Sequence, residues 1–216
     1  MNHKSVKGVG INDADYRLNI WEHLGRENGK QRQKLIWRCP FYSVWMSMLD
    51  RCYSEKTLAK YPSYQDVYVC DEWLTFSNFK AWMERQDWEG KQLDKDVLIP
   101  RNNVYSAETC VFISELTNKF IEEGKPNGNN LPMGVSMVTQ KKRIAYHAYC
   151  QQLGGEKRKY LGYYETVHDA HKAWLTEKRR LAKIVAEMQS DLRVVEAIID
   201  RYNDLEKWSD RTIASS

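Results

Sequence analysis

Apolar residues along this chain change their spacing several times, and each change marks an element. Val44, Trp45, Met48, Leu49 and Cys52 fall on one helical face, which predicts a helix over 42–53. The turn-rich KYPSYQD, with Pro62 as breaker, ends it. Val67-Tyr68-Val69-Cys70 reads as a short strand, and Phe76, Phe79, Trp82 and Met83 repeat at helical spacing over 75–84. Residues 93–99 and 110–113 are strand-like, with the polar loop 100–109 between them. Ser114 can cap a helix running to about residue 123, with acids early in it. Residues 1–37 are polar and show no clear period.

GKPNGNN at 124–130 is a linker signal, and the pattern restarts beyond it. Three strands follow, at about 133–139, 143–151 and 157–164, and a long helix starts at Thr166 or Val167. The apolar residues Leu181, Val185, Met188, Leu192, Val195, Ile199 and Tyr202 carry that helix past the sheet. From Val185 their steps alternate three and four, a heptad spacing. The chain therefore reads as α+β in three segments: 1–124, 130–183 and a helical extension over 184–216. The extension either packs along its own domain or forms a homodimer, which would favour a two-fold symmetric site. The end, DRTIASS, is expected to fray.

Charge sharpens this picture. Between 141 and 183 there are 11 Lys or Arg against 4 acids, a net +7 in a chain whose total is +4. The rest sums to −3, so the basic charge is concentrated on the second segment. A basic sheet interleaved with Tyr and His is the footprint of a nucleic-acid binder. Segment 184–216, with 4 basic and 7 acidic residues, is not part of it. No apolar run approaches the ~20 residues a membrane span needs, and MNHKSVKGVG has no signal-peptide core. A cytoplasmic protein is expected. Its five cysteines, an odd number without a CxxC pair, read as reduced, mostly buried thiols rather than a zinc knuckle. No phosphate-cradling GxxxxGK[ST] loop and no GxSxG elbow is present. His168 and His171 lie three apart on the predicted helix, where packing or surface roles outweigh metal binding. His147 alternates with Ala145 and Tyr149 along its strand, as a half-buried strand residue does.

The second segment resembles a known domain. Gly134, Val135, Ala145, Tyr160, Leu161, Gly162, Tyr164, Thr166, Ala170, Ala173 and Trp174 match the plant ethylene-response-factor-type DNA-binding domain over about 130–183. That resemblance implies a three-stranded antiparallel sheet packed on a long helix, with the sheet's open face in the major groove of double-stranded DNA. It makes Ser136, Gln140, Lys142, Arg143, Tyr146, Lys157 and Arg158 the DNA-contact candidates. Met133 and Ser136 stand where the plant domains place arginines beside the Gly-Val step.

LDKDVLIPRNNVYSAETCVFISELTNKF, at 93–120, resembles the core of His-Asn-His (HNH) endonucleases of the phage and homing type. RCY, YPSY, VCDEW and FSNFKAW upstream look like the accessory region of such phage proteins, which often carry an ethylene-response-factor-like module. The resemblance implies a ββα-metal fold with one divalent ion, Mg²⁺ or Mn²⁺, used to hydrolyse DNA phosphodiesters, in a phage-infected bacterial cytoplasm. Asp94 and Asn118 take the metal-ligand positions, and Asn103 takes the loop position that orients the base. Lys95 stands where the family has its general-base His. An ammonium is a poor base near neutrality, so Lys95 would hold a phosphate and leave base work to Asp96 or to metal-bound water. Cys110 replaces a second family Asn. Two functions stay open: a metal-dependent endonuclease, or a DNA-binding regulator that keeps the nuclease-like scaffold without its chemistry. A protein–protein adaptor is a third reading.

Overall fold

The computed structural model describes residues 5–121, 131–140 and 143–203, and the chain divides after Ile113 into two units, Met1–Ile113 and Ser114–Ser216. Both mix helix with small sheets, the α+β class expected. The linker at 124–130 and the stretch beyond 203 lie outside the described residues. No described helix is long and apolar enough to cross a membrane.

The first unit runs β1 (Ser5–Val6), β2 (Gly10–Ile11), β3 (Asn19–Glu27), β4 (Lys30–Arg38), α1 (Pro40–Tyr53), α2 (Glu55–Lys60), β5 (Tyr68–Val69), α3 (Phe76–Met83), β6 (Gln92–Asp94), β7 (Val104–Tyr105) and β8 (Val111–Ile113). Pro40 sits in the first turn of α1, where its missing N–H is not needed, and starts that helix ahead of the predicted Tyr42. The core is aromatic. Trp45, Trp73, Phe76, Phe79 and Trp82 are buried together, and the Trp45 indole donates to the Trp73 carbonyl at 2.7 Å. Gly10 touches this core. A Cβ there would lie 2.6 Å from Leu49 Cδ1, so no side chain fits. β5 pairs parallel with β7, and β6 pairs antiparallel with β8.

The second unit runs α4 (Glu115–Ile121), β9 (Val135–Gln140), β10 (Arg143–Cys150), β11 (Lys159–Tyr164), α5 (Val167–Glu187) and α6 (Leu192–Asn203). Its antiparallel sheet has the order β11-β10-β9. Thr166 caps α5, its hydroxyl accepting from the Asp169 N–H at 3.0 Å. Val135, Ala148 and Ala170 make the dry contact between sheet and helix, with Tyr146, Leu161, Tyr164 and Ala173 around them. Small residues let the helix approach closely, nowhere more than at Gly134. Its φ is +78°, and an added Cβ would fall 1.9 Å from Trp174 Cδ1. His171 stacks on Trp174 at 5.2 Å and donates from Nδ1 to the Met133 carbonyl at 3.2 Å. Its buried Nε2 has no hydrogen-bond partner among the described residues, and burial pushes its pKa down. His171 is thus a packing residue.

The single long helix expected past residue 184 is two helices. Asp191 accepts from the Arg193 N–H at 2.9 Å and caps a new helix. The chain doubles back, so that Arg179 on α5 donates to the carbonyls of Tyr202 and Asn203 at the end of α6, both at 2.7 Å. The buried residues of α6 are Val194, Ile198 and Tyr202, while Met188 and Leu192 of the apparent heptad are exposed. α4 belongs with this helical pair. The Phe120 carbonyl accepts from Tyr202 Oη and Lys178 Nζ, both at 3.3 Å. Asn118, expected in the first module, therefore lies in the second unit.

Candidate functional site

Alternation along β10 decides which side chains meet α5 and which face away. Tyr146 and Ala148 point to the helix, so Arg143, Ala145, His147 and Tyr149 take the other face. Cross-strand pairing adds Ser136 opposite His147 on β9 and Tyr163 opposite His147 on β11. A bulge after Ala148 then sets Tyr149 against Tyr160. Four rings gather there. His147 lies 6.0, 5.4 and 5.7 Å from the rings of Tyr149, Tyr160 and Tyr163, and Tyr149 lies 5.2 Å from Tyr160. The Arg158 guanidinium sits 5.9 Å above the Tyr149 ring. Tyr160 and Tyr163 are 51% and 44% exposed. Tyr149 and Arg158 also line a cavity of about 800 Å³ with Trp174 and Lys178, so the ring-and-cation surface continues into a recess.

Of the DNA-contact candidates, Ser136, Arg143 and Arg158 share this outer face, and Lys157 is exposed just before β11. Tyr146 corrects the sequence reading. One step out of phase with His147, it packs against the helix side of the sheet. Lys142 and the side chain of Gln140 lie outside the described residues. Tyr149, Tyr160 and Tyr163 were not among the candidates, although the alternation of Ala145, His147 and Tyr149 pointed at their face.

The nuclease-like stretch has a different character. The strand expected over 93–99 ends at Asp94, because Asp94 Oδ1 accepts from the backbone N–H of Asp96 at 2.8 Å and of Val97 at 2.7 Å and bends the chain. Burial raises the Asp94 pKa, against these two donors, which favour the carboxylate. Lys95 is turned inward and only 7% exposed. Its ammonium donates to both Asp96 carboxylate oxygens at 2.8 Å and to the Asn102 carbonyl at 2.5 Å. Three donors meet three acceptors. Asn102 completes the clasp, its amide donating to the carbonyls of Lys95 at 3.1 Å and Val104 at 2.5 Å. Asn103, the expected loop residue, is exposed, and its carbonyl accepts from the Tyr68 N–H at 2.9 Å. Two adjacent asparagines gave no sequence signal for which would turn inward.

These donors do not fit a divalent cation. One Asp94 oxygen serves the turn, and both oxygens of the Asp96 carboxylate are held by the Lys95 ammonium. Among the described residues no group of three or more His, Cys, Asp or Glu is gathered as a metal site. The five cysteines are free, and burial pushes the thiols of Cys52 and Cys110 up to about 12 and that of Cys150 to about 11, far from a reactive thiolate. No family model, curated protein or solved structure matches the chain.

Proposed function

We propose that the protein binds double-stranded DNA through the outer face of β9–β11 and does not cut it, its first unit being a nuclease-like scaffold. The observation that carries this reading is the cluster of half-buried His147 and Tyr149 with exposed Tyr160 and Tyr163, the Arg158 guanidinium over Tyr149 and exposed Arg143 farther along the same sheet face, opposite α5. A two- or three-stranded sheet can enter the major groove. Arg143, Lys157 and Arg158 neutralise phosphates, Ser136 offers a hydroxyl, and the rings pack on sugar and base edges. Along the chain β6 and β8 of the first unit are followed by α4 of the second, the element order of a ββα scaffold. The Lys95 clasp supports the non-cutting form, because it ties up the groups that cleavage needs.

The competing form is a nuclease with Asp94 and Asn118 on Mg²⁺ and Lys95 on the scissile phosphate. Incubation with supercoiled plasmid in Mg²⁺ or Mn²⁺, beside Asp94→Ala, separates the two, with a mobility-shift titration run at rising salt. The expected result is a shift that weakens as salt rises, with no nicking. Nicking that Asp94→Ala abolishes would overturn the non-cutting reading. Absence of a shift even at low salt would overturn DNA binding altogether.

A further inference from the structure

The element with least support from its own fold is the β3–β4 hairpin. Its two nine-residue strands pair only with each other, and almost every residue is exposed on both faces. A lone two-stranded ribbon is marginal in water. This one is held locally. Asn28 and Gly29, at φ +53° and +75°, make its two-residue turn. Glu22 pairs across from Lys34, Arg32 bridges to Glu27 at 3.0 Å, His23 and Gln33 hydrogen-bond at 3.2 Å, and Arg38 donates to Asn19 at 2.9 Å. Trp21 and Trp37 on it are 47% and 42% exposed.

The register sorts the ribbon into two unlike faces. Lys30, Arg32 and Lys34 alternate onto one side together with Glu22 and Glu27, three cations against two carboxylates, with Trp37 beyond them. Gln31, Gln33, His23 and Arg26 share the other. Within 19–38 five cations stand against two carboxylates, so the ribbon is net +3. A second copy laid against it would oppose like charge to like charge, whereas a polyanion matches it. Nine residues at about 3.3 Å each make a ribbon of about 30 Å, close to one turn of duplex DNA.

We propose that β3–β4 is a second DNA-contacting element, a ribbon that lies in a groove of the duplex. Gln31, Gln33 and Arg26 face base edges, the pairings such side chains make with adenine and guanine. Lys30, Arg32 and Lys34 reach phosphates along the groove walls, Arg32 exchanging its exposed pair with Glu27 for one. This rests on the DNA-binding reading above.

The test uses the full chain on long mixed-sequence duplexes, with hydroxyl-radical footprints and salt titrations. It compares wild type with Lys30→Gln/Arg32→Gln/Lys34→Gln and with Arg143→Gln/Arg158→Gln. All the substitutions are on exposed residues, and thermal melting checks that each variant folds. For the hairpin variant the footprint should shorten by about one helical turn, and the slope of log K against log salt should fall by about 2–3. A footprint and slope equal to wild type would overturn the ribbon proposal alone. Wild-type protein that protects nothing would overturn the sheet reading and the ribbon with it. Sedimentation of Trp21→Ala/Trp37→Ala closes the remaining route. A dimer lost with the footprint intact would show that the ribbon seats a second copy and would overturn the proposal.

Discussion

Lys95 and Arg158 carry the same charge in opposite circumstances. Around Lys95 every donor meets an acceptor of its own unit, at 2.5–2.8 Å and out of water. Around Arg158 the partner is the face of Tyr149, and the guanidinium stays exposed. A buried, fully paired charge fixes the path of the chain and leaves nothing for a ligand. An exposed cation over an aromatic surface contributes little to folding and keeps its charge for a polyanion. Lys95, Asp96 and Asn102 of the nuclease-like stretch thus hold the path of the chain. On the proposed reading, the less conspicuous face of the sheet keeps its chemistry for DNA.

The contrast breaks most severely where the sheet loses its backing. Gly134→Ala forces a Cβ into Trp174 and strains a left-handed backbone. It is expected to cost about 3 kcal/mol or more in denaturant unfolding, with DNA affinity falling as the unit loosens. Lys95→Met should cost about 1.5–3 kcal/mol, the range for hydrogen bonds to a charged group. It should leave DNA affinity as it was, which a parallel binding titration would check. Tyr160→Ala and Tyr163→Ala invert that result. Each should weaken DNA binding by about 1 kcal/mol while the unfolding midpoint stays put.

A separate effect is an acid titration of the second unit. Burial lowers the His171 pKa from 6.5, with His168 adding to the shift. Hydrogen bonding to Arg180, with Lys159 assisting, lowers that of Glu177 from 4.5 to about 2. Both hold protons less tightly folded than unfolded, so their contribution is complete above pH 6.5 and is lost as pH falls. Stability should decline first below pH 6.5 and again between 4.5 and about 2. Urea unfolding followed by tryptophan fluorescence should show the second decline vanish in Glu177→Gln.

The sheet and its helix were legible because α5 covers one face. Alternation along 143–150 and the small residues Gly134, Ala148 and Ala170 follow from that contact. The hairpin β3–β4 was not read, since with both faces in water no hydrophobic period survives. Its only strong signal was the Asn28-Gly29 turn. The break before α6 hid inside an apparent heptad, because the capping Asp191 is a local event that apolar spacing does not register. Asp94 was read as a metal ligand at a strand end. It is at the strand end, but one of its oxygens serves the turn that ends the strand. Tyr146, a DNA-contact candidate through the resemblance, packs on the helix side of the sheet instead. Nothing in the sequence distinguished Asn102, which clasps Lys95, from exposed Asn103.

The central claim is tested most directly by fluorescence anisotropy of a labelled duplex titrated with wild type and with Arg143→Gln/Arg158→Gln across a range of salt. The slope of log K against log salt should be shallower by about 2 in the variant, the loss of two phosphate contacts, with the melting temperature unchanged. Parallel lines for the two proteins would contradict the account, because the outer face of the sheet would then carry none of the binding.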